Sequence, residues 1–286
     1  MEGIDRFHWN LARSFQGVSS VFAFIGIISN AFIFLTTIRT RSLRATYNIL
    51  IAVCALADVF HLFGTLVQLP FLMDYFIELD SAICAALMFL PEMGIGIGCT
   101  CILCVGLDRM LSVLYSLRYR SLNGSYYHFF LGSLITLYCA YLCVLMVVFY
   151  GNRPLYCEIM APFGAGTSWF VIANLTVNVI SSIVYFFIWI GLQSHADSKA
   201  MKRIIKSLLI IVCVDVSGWL LTPGLIALSQ RLDIDPQQKF AMIYFSIIFI
   251  NLALSVKLPI YYFTRLDIMF RNLMNAIFSA LNIELQ

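Results

Sequence analysis

Residues 98–110 read GCTCILCVGLDRM, an apolar run that ends in an acid and an arginine. In a water-soluble protein, Asp108 and Arg109 would form an ordinary surface pair. At the end of a long apolar helix they would lie at a membrane boundary, where a charge is costly and is usually retained for a function. The rest of the chain decides whether the pair occupies such a position.

The composition excludes an ordinary soluble protein. Of the 286 residues, 61% are hydrophobic and 12% are charged, and the mean hydropathy is +0.90. Soluble domains carry about 25% charged residues, so these charges are too few to cover a soluble fold of this size. We therefore expect an integral membrane protein. The net charge of +3 gives no indication of a nucleic-acid partner.

Cysteines and histidines show no pattern that predicts a catalytic centre. Most of the nine cysteines lie within apolar runs, where they act as small hydrophobic residues. The four histidines are scattered along the chain, at His8, His61, His128 and His195. We expect no catalytic residues, no metal site and no cofactor.

Seven apolar segments are long enough to cross a bilayer, which requires about 20 residues in a helix. A further segment, residues 265–281, places its apolar residues on one helical face and is predicted to lie on the membrane surface. The loops are short, and no linker or repeat is visible. The sequence thus predicts an all-α membrane protein in one domain, a seven-transmembrane helix bundle with a short C-terminal amphipathic surface helix. The seven predicted spans are 18–38, 47–73, 82–113, 129–150, 168–192, 206–229 and 240–263.

Basic residues predict the orientation of the bundle. With the N-terminus outside, twelve of them fall in cytoplasmic segments and five on the outer side. Cytoplasmic loops are enriched in Lys and Arg, so we expect a multi-pass plasma-membrane protein with its N-terminus outside and its C-terminus in the cytoplasm. The twelve are Arg39, Arg41, Arg44, Arg109, Arg118, Arg120, Lys199, Lys202, Arg203, Lys206, Arg265 and Arg271.

Polar residues within the predicted spans are the candidate functional groups. Asp58 and Asn30 must face other helices or a wet cavity, either as packing groups between helices or as functional groups. Lys257 is the most unusual, and it can pair with Asp58, line a cavity or extend its ammonium to the inner interface. Glu92 and Asp215 are also predicted to lie within spans.

Prolines within the spans predict bends. Pro91 precedes Glu92 and is expected to kink the outer third of the third helix, which makes Glu92 a candidate for lining an outer pocket. Pro223 and Pro259 each remove a backbone donor from the sixth and seventh helices and are candidate hinges.

Two cysteines lie apart from the others. Cys84 begins the third predicted span and Cys157 lies in the loop between the fourth and fifth. Both fall on the outer, oxidising side, so we expect a disulfide that ties this loop over the bundle.

Taken together, these residues resemble the rhodopsin-like family of G-protein-coupled receptors. Asp108-Arg109-Met110 is similar to that family's DRY motif, with Met in place of Tyr. Pro259-Ile260-Tyr261-Tyr262 is similar to the end of its NPxxY motif, with Leu258 in place of Asn. The other matching positions are Asn30, Asp58, Val113, Tyr119, the start of the surface helix at Phe270-Arg271, and the disulfide cysteines Cys84 and Cys157.

A narrower resemblance lies around the second predicted span. The sequence of residues 41–52, followed by residues 54–58, resembles the nematode serpentine chemosensory receptors of the class sx group. The short tails fit that group.

Several positions depart from the rhodopsin-like pattern. Trp219 stands four residues before Pro223 rather than two, so its role as a switch is not implied. Aminergic receptors carry an Asp at the position of Pro91, so the resemblance does not support the aminergic arrangement. Opsins carry the retinal-binding Lys at the position of Leu252, so it does not support retinal binding either. Sodium binding at Asp58 is expected to be weak or absent, since its usual polar partners are replaced by Gly98, Leu254 and Leu258.

The resemblance implies a receptor whose outer half binds an unknown small molecule or peptide and whose inner face activates a heterotrimeric G protein. Asp108 would hold Arg109 until the inner face opens, and Tyr262 and Tyr185 would then fill the vacated space. The acid that locks this arginine in some receptors falls near Arg203, so Asp108 is expected to carry most of the restraint. The candidate ligand pocket comprises Glu92, Pro91 and Trp219.

Two other functions fit the intramembrane charges less well. A transporter or channel could use Asp58, Glu92, Asp215 and Lys257 as an ion path, but the inverted repeats that many transporters contain are not visible. A receptor-like protein that only chaperones a partner is the third hypothesis.

Overall fold

The computed structural model describes residues 5–41, 45–73, 79–115, 119, 124–151, 156–195 and 199–264, with side chains described except at 192–195, 199–208, 230 and 261–264. These residues are almost entirely helical. The predicted surface helix, 265–281, lies outside the described residues. The helices are α1 (Arg6–Arg39), α2 (Thr46–Met73), α3 (Ser81–Leu114), α4 (Gly124–Val148), a 3-10 helix (Ala161–Gly166), α5 (Thr167–His195), α6 (Lys199–Arg231), α7 (Pro236–Ser255) and α8 (Lys257–Thr264).

Within the described residues, seven helical segments are long and apolar enough to cross a membrane, which confirms the predicted seven-helix fold. Five of the predicted spans lie wholly within one helix, and the fourth, 129–150, runs two residues beyond α4. The seventh, 240–263, is not continuous, because α7 ends at Ser255 and α8 begins at Lys257.

The interruption follows from Pro259. Proline has no N–H and its ring clashes with the carbonyl four residues earlier, here that of Ser255. Val256 takes φ −87° and ψ 1°, outside the helical range, although its own N–H still bonds to the carbonyl of Leu252. The backbone therefore turns just before Lys257.

The outer end of the first helix extends further than hydropathy predicts. The side chain of Asp5 caps α1 by accepting a hydrogen bond from the backbone N–H of His8 at 2.8 Å. Trp9 is buried and stacks on Phe240 of α7 at 5.8 Å between ring centroids. The segment before residue 18 is helical because this packing adds to the cap, and neither is visible in a hydropathy window.

α3 is the central helix, and it packs against α2, α4 and α5. Glycines allow these close approaches. A Cβ atom at Gly94 would lie 2.6 Å from the carbonyl oxygen of Ala57 in α2, and one at Gly96 would lie 2.7 Å from Leu142 in α4. Small residues bring helix backbones together in membranes, where no hydrophobic force acts between helices. The glycines on α3 thus set its distance from α2 and α4.

We expect Gly94→Ala to destabilise the bundle, because its Cβ meets the backbone of α2, which cannot rotate away. Gly132→Ala is the matched control, since a Cβ there meets nothing within 4 Å and alanine favours the helix. Thermal unfolding of the purified proteins in detergent should give a lower Tm for Gly94→Ala and an unchanged or higher Tm for Gly132→Ala. Equal Tm values for the two variants would contradict this account of the α2–α3 contact.

Candidate functional site

The C-terminal end of α3, which the distribution of basic residues predicts to be the inner end, holds the acid–arginine pair that ends the opening stretch. Asp108 and Arg109 are both buried. One carboxylate oxygen of Asp108, Oδ2, accepts hydrogen bonds from Arg109 Nε at 3.1 Å and Nη2 at 2.5 Å. The guanidinium is thus turned back on its neighbour in the chain.

Three tyrosines complete this inner cluster. Oδ1 of Asp108 accepts hydrogen bonds from the hydroxyls of Tyr119 at 2.9 Å and Tyr127 at 3.2 Å. The guanidinium carbon of Arg109 lies 3.9 Å from the ring centroid of Tyr47 in α2, a cation–π contact. All four hydrogen bonds that the structure gives to Asp108 therefore come from this cluster.

Sequence reasoning missed the roles of Tyr47 and Tyr127, because neither belongs to the motif around Arg109. Tyr119 was a motif position without an assigned partner. Burial raises the pKa of the Tyr119 hydroxyl, and the hydrogen bond to Asp108 raises it further. Tyr119 therefore stays a hydrogen-bond donor throughout the physiological pH range.

A second cluster of charges lies in the middle of the bundle. Lys257 Nζ is 2.5 Å from Asp58 Oδ2 in α2 and 2.7 Å from Asp215 Oδ2 in α6. All three side chains are almost completely buried. We call Asp58, Asp215 and Lys257 the central ion cluster. Removing charges from water is costly, so each depends on the others for compensation.

Asn30 joins α1 to the same region. Its amide nitrogen donates to the carbonyls of Gly26 at 2.9 Å and of Leu254 in α7 at 3.0 Å. The second carbonyl lies just before the break at Val256. The central ion cluster and Asn30 together connect α1, α2, α6 and the α7–α8 junction.

A small, partly open cavity borders the central ion cluster and is lined by side chains of α1, α2, α3, α5 and α6. Tyr185 lines it, and the hydroxyl of this tyrosine donates to the carbonyl of Ile102 in α3 at 3.0 Å. The polar side chains in its wall are Asn30, Cys54, Tyr185, Asp215 and Lys257.

The three residues predicted to line an outer pocket face different neighbours. Pro91 faces α2, where a Cβ at Gly64 would lie 2.6 Å from its ring. Trp219 of α6 lies 5.6 Å from the ring of His61 in α2. Glu92 is completely buried and close enough to Tyr138 of α4 to interact with it electrostatically.

The predicted disulfide is confirmed. Cys84 and Cys157 are bonded, with 5.4 Å between their Cα atoms. Beyond Cys157 the outer loop enters the 3-10 helix, where Phe163 is buried and stacks on Phe170 of α5 at 4.4 Å. The disulfide and this stack hold the loop against the outer ends of α3 and α5.

The proline positions differ in their surroundings. α6 continues through Pro223, and the hydroxyl of the adjacent Thr222 donates to the carbonyl of Ser246 in α7 at 2.9 Å. Pro259 lies in α8, just past the break. Tyr262 is also in α8, but its side chain and that of Arg203 lie outside the described part of the chain.

A seven-helix bundle with its outer loop tied to the third helix, and with an acid–arginine pair buried at the other end of that helix, has the architecture of a seven-transmembrane receptor. Residues 23–273 match the model of one family, the serpentine type 7TM GPCR chemoreceptor Srsx. The chain therefore belongs to this nematode family of chemoreceptors. It is a receptor rather than an enzyme. No curated protein sequence matches the chain.

We expect Lys257→Met to destabilise the receptor by about 3–5 kcal/mol, because it leaves two buried carboxylates without a cation. Adding Asp58→Asn and Asp215→Asn to this variant should recover most of the loss, because the triple variant buries no charge at the cluster. Thermal unfolding in detergent measures both effects. A Tm for Lys257→Met equal to that of the wild type, or no recovery in the triple variant, would show that the cluster does not stabilise the fold.

Proposed function

We propose that this chemoreceptor detects a ligand in the outer half of the bundle and activates a heterotrimeric G protein at the inner face. The observation that carries the proposal is the inner cluster, in which Arg109 is buried and engaged by Asp108 and Tyr47. A buried arginine that is paired with Asp108 and stacked on Tyr47 can be released to a partner only when the helices around it move.

We further propose that the N-terminus is outside and the C-terminus is cytoplasmic, in the plasma membrane. Two observations support this orientation. The disulfide between Cys84 and Cys157 forms only on an oxidising side of the membrane. Arg109 lies at the opposite end of α3, the end to which most of the basic loop residues belong.

The activation step follows from the restraints. A ligand that binds one packing of the helices better than another shifts the population toward it. Movement of the inner half of α6 separates Asp215 from Lys257 and rearranges the junction at Val256. Asp108 then loses its tyrosine partners, and Arg109 becomes available to the G protein. Tyr185 and Tyr262 then fill the vacated space. In this structure, the hydroxyl of Tyr185 is still bonded to the carbonyl of Ile102.

The ion-path hypothesis has less support. Lys257 lies between Asp58 and Asp215, so these groups compensate one another within the bundle. Glu92 faces α4 and lies outside this cluster. The chain's family is one of chemoreceptors, which favours the receptor function.

Arg109→Ala should reach the cell surface but lose ligand-evoked G-protein activation, because no other described side chain presents a cation at this position. Arg231→Ala, at the outer end of α6 and exposed, is the matched control and should signal normally. Surface labelling and a G-protein dissociation assay in the same cells measure the two properties. Normal evoked signalling by Arg109→Ala would exclude the proposed coupling mechanism.

Tyr127→Phe combined with Tyr119→Phe should raise basal G-protein activation severalfold, since Asp108 loses two of its hydrogen bonds and is held less firmly on Arg109. The matched control is Tyr126→Phe, because Tyr126 is 77% exposed. Basal activity normalised to surface expression measures the effect. Basal activity equal to that of the wild type would show that these hydroxyls do not restrain the arginine.

A further inference from the structure

Glu92 has an unusual position in the outer half of α3. Its side chain is completely buried, and neither carboxylate oxygen has a hydrogen-bond partner among the described residues. An isolated carboxylate within a membrane protein is costly, and such groups usually pair or mark a functional site. The inner cluster and the central ion cluster pair their acids with basic side chains, whereas Glu92 has no basic partner in the part of the chain that the structure describes.

Two asparagines on α5 also present unpaired acceptors. The amide nitrogen of Asn174 donates to the carbonyl of Phe170 at 2.9 Å, and that of Asn178 donates to the carbonyl of Asn174 at 2.8 Å. Both side chains are almost completely buried, and both carbonyl oxygens lack a partner among the described residues. Each amide nitrogen therefore has a partner, and that of Asn178 also donates to Cys99 Sγ of α3 at 3.6 Å.

The register of α3 and α5 brings Glu92 and Asn174 to the same part of the bundle. Asn178 contacts Cys99, and seven residues further along both helices the site of Gly106 lies against Tyr185. The two helices therefore run parallel and in step. Glu92 is seven residues before Cys99 on the same helical face, and Asn174 is one turn before Asn178. In this register, residue 171 of α5 is level with Glu92, and Asn174 comes three residues later. At 1.5 Å per residue, Asn174 lies roughly 4–5 Å below Glu92 along the bundle axis.

The surroundings suit a small cation. The hydroxyl of Tyr138, which also lacks a partner among the described residues, approaches from α4. On the outer side lie the stacked rings of Phe163 and Phe170, held by the disulfide-tied loop. Aromatic faces attract cations. We call Glu92, Asn174 and Tyr138 the outer acceptor cluster.

We propose that the outer acceptor cluster binds the protonated amine of a small ligand, with Glu92 as the counter-ion and the amide oxygen of Asn174 as a further acceptor. This inference rests on the proposed function, since it names the ligand class of the receptor. A primary ammonium brings one positive charge and three donors. A ligand carboxylate would add a second acid beside Glu92, and an alcohol would bring no cation to balance the ionised form of Glu92. The site differs from the aminergic arrangement, whose acidic position is occupied here by Pro91.

Binding is tested on the purified receptor in detergent, without a G protein. The probes are primary alkylamines of four to eight carbons and phenethylamine at pH 7, each compared with the alcohol and the carboxylate of the same skeleton. At least one amine should raise the Tm in a concentration-dependent manner, and its alcohol and carboxylate should not. Glu92→Gln should weaken that amine about 10- to 100-fold, the range expected for a lost charge-assisted hydrogen bond.

Two variants keep the test independent of folding. Glu92→Gln without ligand should unfold at or above the wild-type Tm, because it removes an unpaired buried acid. Asp233→Asn, which removes an exposed acid on the outer side, should leave amine affinity unchanged. The proposal is overturned if no amine shifts the Tm, if alcohols or carboxylates shift it equally, or if Glu92→Gln retains the affinity of the wild type.

The same probes separate this inference from the proposed function. Amines that stabilise the purified receptor through Glu92 but evoke no G-protein activation in cells would support the amine site and contradict the coupling. Activation by a ligand without an amine, unaffected by Glu92→Gln, would support the coupling and overturn the amine site.

Discussion

The pairing of Lys257 with Asp58 and Asp215 is the constraint on which the rest of the bundle depends. Three charges buried among helices must find each other, because no water replaces their hydration. Since the acids lie on α2 and α6 and the lysine lies at the α7–α8 junction, their contact fixes how these helices are rotated and spaced. Asn30 extends the same connection to α1. The break at Val256 allows the lysine to reach both acids.

The buried polar groups differ along the bundle in whether they are paired. At the inner end, Asp108 and Arg109 are engaged by each other and by tyrosines; in the middle, Lys257 is engaged by two acids. In the outer half, Glu92 has no partner among the residues that the structure describes. Paired groups stabilise the resting packing of the helices. An unpaired group is instead stabilised when a complementary ligand binds to it. This distribution agrees with the proposal that the receptor rests closed and binds its ligand near Glu92.

The sequence predicts the fold well because the membrane imposes simple rules. Hydropathy locates seven helices, and the placement of Cys84 and Cys157 on one side predicts their disulfide. Contacts between helices are harder to predict, because they depend on helix rotation. The sequence leaves pairing with Asp58 as one of three alternatives for Lys257. No local pattern in the sequence predicts that Asp215 also pairs with Lys257. Tyr127 was missed because it approaches Asp108 from another helix.

The central claim is that the central ion cluster holds α2 and α6 in one packing. Spin labels at positions 49 and 210, on the exposed side chains Ile49 and Ile210, report the separation of these helices near their inner halves once the exposed Cys213 is replaced. Pulsed electron resonance should give one narrow distance distribution for the wild type. The folded variant Lys257→Met/Asp58→Asn/Asp215→Asn should give a broader or longer distribution, and an unchanged narrow distribution would show that the cluster does not hold the two helices together.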